Sequence, residues 1–202
     1  KPISTQRAQT FGEMVAEGLQ QLKDTDPRFD LDDYVSQEKI TTTMLIALPA
    51  ALRTTKAEKL SALRNAVLNA ALPGSPDEDI IVFYLNAVDT LPASALKILE
   101  YFADPEDFGK RRGISYQADM TELDFFTRVF EEFNGQPELL DMLMRMLDER
   151  RFSGGAGNTA SLGWLRMASD NMPSHPPQRR ITPLGERFLA FIREPPNLNL
   201  PL

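Results

Sequence analysis

The stretch Lys56-Ala-Glu-Lys-Leu-Ser-Ala-Leu-Arg-Asn-Ala-Val-Leu-Asn-Ala-Ala-Leu72-Pro73-Gly74 is the clearest helix signal in the chain and sets its fold class. Leu60, Leu63, Val67, Leu68 and Leu72 recur at helical spacing on one face. Ala57, Ala62, Ala66, Ala70 and Ala71 leave room for a neighbouring helix to come close. Pro73-Gly74 ends the segment. Working outward, Thr5 to Lys23 repeats the pattern with Phe11, Met14, Val15, Gly18, Leu19 and Leu22. Ser36 to Arg53 reads as a helix capped by Ser36 and bent near Pro49. Ser75-Pro76 followed by Asp77, Glu78 and Asp79 opens another, with proline at the first position and acids in the first turn. Its Ile80, Ile81, Phe83, Tyr84, Leu85 and Val88 are apolar nearly all round, which predicts a central helix. Pro92 to Ala103, Thr121 to Phe133 and Pro137 to Arg150 complete the helical set. The expected class is mainly α, with a helical bundle over residues 1–91 and a second domain over 92–202.

Composition narrows the chemistry. Of 202 residues, 42% are hydrophobic and 25% charged, the ordinary globular balance. With no cysteine there are no disulfides, thiol nucleophiles or thiolate metal sites, and a reducing, cytoplasmic setting is expected. The longest apolar run, Met44 to Leu52, is broken by Pro49 and falls far short of the roughly 20 residues of a spanning helix. The chain begins at Lys1 rather than Met, so a longer parent protein is expected. Net charge is −7. Residues 1–92 carry 9 basic and 13 acidic side chains, and residues 93–202 carry 13 and 16. Between Arg145 and Arg193 the sign reverses: eight arginines face only Asp148, Glu149, Asp170 and Glu186, a local +4. Such a reversal marks a candidate basic face on an acidic protein.

No catalytic constellation emerges. His175 is the single histidine, in a proline-rich loop, and no nucleophile-elbow pattern accompanies it. Asp24, Asp26, Asp30 and Asp32 resemble a calcium loop in composition only, because Arg28, Phe29 and Val35 stand where that loop needs an oxygen ligand, a glycine and a glutamate. Capping and solvation are the expected roles of those acids. Gly154-Gly155-Ala156-Gly157 lacks the Gly-Lys-Ser/Thr of a phosphate loop. No metal, no cofactor and no enzymatic activity are expected.

The second domain changes texture along its length. Asp104 to Met120 reads as a polar loop containing Lys110, Arg111 and Arg112. After Arg150 come the glycine-rich Ser153 to Asn158, a strand candidate at Ser161 to Ser169, the proline-rich Pro173 to Pro177, a returning strand at Arg179 to Thr182, and a helix at Leu184 to Ile192. Ile181-Thr182-Pro183-Leu184-Gly185, followed by Phe188, Leu189, Phe191 and Ile192, resembles the wing exit of winged-helix regulators of the MarR and PadR type. Glu138 to Phe152 is similar to their third helix. The resemblance implies a winged-helix-like domain with a small β-hairpin, in which Thr182 caps the last helix and Gly185 lets it pack closely. The chain departs from the pattern in the long Lys110 loop and in the length of the stretch from Phe152 to Ile181. Lys59 to Pro73 also resembles a segment of uncharacterised bacterial helical proteins, which implies a bacterial source and no activity.

Two functions follow. The first is a non-enzymatic interaction module, binding a protein partner or a second copy of itself. The acidic total and eight methionines favour it, since methionine-rich faces adapt to partners. The alternative is a DNA-binding regulator. Arg145, Arg150 and Arg151 would reach from the third helix, Arg166, Arg179 and Arg180 would line the wing, and Lys110, Arg111 and Arg112 would flank them. If the arginines instead form a solvated, paired face, Asp148, Glu149 and Glu186 are their expected partners.

Overall fold

The computed structural model describes residues 2–30, 32–154 and 176–198. Along the chain run α1 (Ile3–Thr25), α2 (Tyr34–Arg53), α3 (Ala57–Ala71), α4 (Glu78–Thr90), α5 (Ala93–Ala103), α6 (Pro105–Arg111), α7 (Glu122–Val129), α8 (Pro137–Glu149) and α9 (Pro183–Ile192). Short 3-10 turns occupy Glu131–Phe133 and Pro196–Leu198. The protein is mainly α, as the periodicity requires.

The described residues do not form the expected β-hairpin. Among the described residues no strand forms, and the sole sheet-like pairing is an isolated antiparallel bridge between Ser153 and Ile181. Hydrogen bonds from Gly154 N to Arg180 O and from Thr182 N to Phe152 O flank that bridge, both at 3.0 Å. Extending it would require Arg180 N–H and Phe152 N–H to continue the ladder. Both are diverted: Arg180 N donates to Phe102 O at 2.8 Å and Phe152 N to Leu147 O at 3.0 Å. The winged-helix resemblance is therefore corrected. The strand candidate at Ser161 to Ser169, Gly155 to Gly157, Arg166 and His175 lie outside the described residues.

The chain forms two compact units, one of residues 1–93 with 190–202 and one of residues 94–189. The first is organised around α3, which buries Ala62, Leu63, Ala66, Val67, Leu68 and Ala70. Gly18 of α1 lets that helix come close: a methyl group there would stand 2.6 Å from Leu68 Cδ1. Helix α2 is capped by Asp33 rather than Ser36, because Asp33 Oδ2 accepts from Ser36 N at 2.9 Å. That bond holds the Asp33 carboxyl below its ordinary range. Helix α4 begins after Asp77, since Ser75 is occupied by Lys39 Nζ at 2.6 Å. It also leaves Ile80 and Phe83 exposed, so it is not buried on every apolar side as a central helix would be. In the acidic loop Asp26 is buried and ion-paired with Arg28 at 2.7 Å, an anchor rather than a solvated carboxylate.

Residues 190–198 complete this unit. The carbonyls at the end of α9 lack intrahelical donors. Two asparagines one turn apart on α3 supply them: Asn69 Nδ2 reaches Phe191 O and Arg193 O at 2.8 Å, and Asn65 Nδ2 reaches Ile192 O at 3.2 Å. Phe191 lies 5.4 Å from the Tyr84 ring, and Leu198 packs on Leu22, Phe29, Leu68 and Ala71.

The second unit is built around Tyr101 of α5, whose ring meets those of Phe102, Phe108, Phe125, Phe126 and Phe130. The stretch from Asp104 that reads as a loop begins with α6, capped by Asp104 and led by Pro105. Gly109 sits flat against the Phe125 ring, where any side chain would overlap it. A capping box of Thr121 and Asp124 starts α7. Thr182 Oγ1 accepts from Gly185 N at 3.0 Å and caps α9. A methyl group on Gly185 would overlap Phe152 O, and the Phe152 and Phe188 rings stack at 4.3 Å.

Candidate interaction surface

Of the candidate cations among the described residues, all but Arg151 are drawn into separate contacts. Arg180 is 5% exposed and grips Glu122, itself 8% exposed, at 2.7 and 2.9 Å from one guanidinium nitrogen. Arg179 meets Glu186 at 2.6 Å and donates to Ala103 O. Arg145 pairs with Asp141 at 2.8 Å, Lys110 with Glu106 at 3.7 Å and Arg111 with Asp107 at 3.0 Å, all one helical turn apart. Arg112 lies over the Phe108 and Phe130 rings and reaches Glu132 at 3.7 Å. Arg150 donates to Met146 O at 3.2 Å, while exposed Arg151 takes a left-handed φ of 59° where α8 ends. Neighbours in sequence thus point to different helices: Arg179 to α9, Arg180 to α7. None of these contacts joins two of the candidate cations.

The Glu122–Arg180 pair is structural. Together with the bond from Arg180 N to Phe102 O, it ties the chain before α9 to α5 and α7. Two ions out of water are tolerated only when each supplies the other's charge and hydrogen bonds. Beside this core, Tyr101 OH and Ser153 Oγ are buried with no hydrogen-bond partner among the described residues. Burial pushes the Tyr101 phenol above its ordinary range, and the negative charge of Glu122 adds to the shift.

A different surface was missed in the sequence. On a helical wheel of about 100° per residue, Thr43, Ala47 and Ala50 of α2 point opposite to Leu45. Those three are buried, whereas Leu45 is 72% exposed. Around Leu45, within about a sixth of a turn on either side, lie Glu38, Thr41, Thr42, Leu48, Pro49 and Leu52, every one exposed or half-buried. The helix thus turns small residues inward, toward the alanine-rich α3, and Leu45 outward, while Ile40 at its start packs on the core. No charged residue falls between Lys39 and Arg53. Clefts border both ends. One of about 180 Å³ lies beside Val35, Glu38, Thr42 and Ile81, and one of about 330 Å³ beside Ala51, Phe11, Met14 and Leu60. The signal was legible: alanines and leucines alternate across the wheel from Leu45 to Leu52.

Among the described residues no group of three or more metal-ligating side chains converges, and no single helix is long and apolar enough to cross a membrane. Compared with family models, with curated proteins and with solved structures, the chain matches none. The resemblance to winged-helix regulators and to a bacterial helical family accordingly has no support in those comparisons.

Proposed function

We propose that the protein is a non-enzymatic interaction module whose contact surface is the outward face of α2. The supporting observation is the inverted helix: Ala47, Ala50 and Ala51 buried, Leu45 exposed, and Leu48 and Leu52 half-buried beside it with no charge among them. Single exposed apolar residues are ordinary on any surface. A stripe along about two turns of one helix is different, because water must be excluded from it as a unit when a second surface arrives. Composition supports a role without chemistry, since the chain has no thiol and one imidazole.

The test is a photo-cross-linking residue placed at position 45 in the full chain and activated in the producing cell, with position 17 on the exposed side of α1 as control. A discrete adduct from position 45 and none from position 17 is the expected result. No adduct at position 45 above the control would overturn the reading.

A further inference from the structure

We propose that the occupant of the α2 face is the same face of a second copy, packed antiparallel about a two-fold axis near Leu45. This rests on α2 being the contact surface. The ends of the stripe are oppositely charged and evenly placed. Glu38 stands seven residues before Leu45 and Arg53 eight residues after it. In an antiparallel pair centred there, Glu38 faces the partner's Arg53 and Arg53 faces the partner's Glu38. The two contacts lie about 22 Å apart along the helix. A parallel pair would set like charges against each other at both ends. The arrangement is therefore complementary to itself in one sense only, which is the requirement of a two-fold interface.

The charged groups are placed for it. Glu38 is exposed and has no cation within ion-pair distance among the described residues. Arg53 is 60% exposed on its side chain and holds Asp89 at 2.6 Å through one nitrogen. Its planar fork has five N–H donors, so a second carboxylate binds without displacing the first. The groups between them also complement each other, since the Thr41–Thr42 end of one helix meets the bulkier Leu48–Leu52 end of the other. A single helix pair buries less than the roughly 1,200 Å² of a standard stable interface. Association is therefore reversible and is expected at micromolar concentration.

Sedimentation equilibrium of the full chain from about 1 to 300 µM tests this. The wild type should pass from monomer to dimer across that range. Leu45→Glu should remain monomeric while its helical circular dichroism and melting profile stay unchanged, because position 45 touches little of its own fold. Glu38→Arg should weaken the dimer by about tenfold, with two repulsive contacts per pair, and Glu38→Arg combined with Arg53→Glu should restore it. A wild type monomeric at 300 µM, a dimer indifferent to Leu45→Glu, or a double reversal that fails to restore would each overturn the proposal. A monomer that still gives a cross-link to another polypeptide from position 45 overturns self-pairing and leaves the contact surface standing. A monomer with no cross-link removes both.

Discussion

Replacing Glu122 with leucine is the sharpest perturbation of the fold. It leaves the Arg180 guanidinium, at 5% exposure, without either of the carboxylate oxygens that hold it at 2.7 and 2.9 Å. Breaking one side of a buried pair costs about 3–5 kcal/mol, most of it the loss of the counter-charge in a site away from water. With a urea dependence of about 2 kcal/mol per molar, the midpoint should fall by about 2 M. Removing both charges, as Glu122→Leu with Arg180→Met, leaves no buried ion and should recover most of the loss, short of the bond that Gln178 N makes to Glu122 Oε1 at 3.4 Å. Urea titration followed by circular dichroism measures all four corners of the cycle. A single variant that loses less than about 0.5 kcal/mol would refute the reasoning, as would a double variant no better than Glu122→Leu.

Glycine substitutions should split by position. Gly185→Ala forces a methyl group onto the Phe152 carbonyl, backbone that cannot swing aside, and should cost about 3 kcal/mol by urea titration. Gly12→Ala, in open space within α1, should stabilise by about 0.8 kcal/mol in the same assay. The Tyr101 phenol is held protonated above the range of a free tyrosine. Its contribution is thus intact below about pH 10 and is lost as pH rises beyond, where only the unfolded chain ionises. Absorbance at 295 nm should accordingly show Tyr101 titrating together with unfolding, and an ionisation completed in the folded chain would contradict its burial. Mixed-sequence duplex DNA should give a flat anisotropy titration even at about 50 mM salt, because Lys110, Arg111, Arg112, Arg145, Arg179 and Arg180 already face carboxylates; a salt-dependent rise would show that phosphate displaces them.

Helices were legible wherever a sequence kept one apolar stripe. Lys56 to Leu72 has such a stripe, and α3 lies within it. Capping was less legible: Asp33 takes the cap that Ser36 was expected to provide, and α4 starts after Asp77 with no side-chain cap rather than at Ser75. Helix α6 was read as loop since its polar surface outweighs Phe108 and Gly109, and only the ring of Phe125 reveals why a glycine is needed there. The fate of Arg180 was beyond reach, as its partner lies 58 residues away and nothing local distinguishes a buried arginine from a solvated one. The hairpin failed for a similar reason, since backbone donors of Phe152 and Arg180 found carbonyls outside the proposed ladder. The outward face of α2 needed only the wheel.

The return of residues 190–202 to the first unit has a consequence for synthesis. Helix α3 carries Asn65 and Asn69, whose acceptors are carbonyls of residues 191–193, and the pocket of Leu22, Phe29 and Leu68 is filled in part by Leu198. On a ribosome those partners emerge only after the 96 residues from 94 to 189. At about 5–20 residues per second that is a wait of roughly 5–20 s. During that interval the N-terminal helices exist without their last layer, and their apolar floor stays open to chaperones and to neighbouring nascent chains. The second unit, contiguous in sequence, has no such delay and closes first.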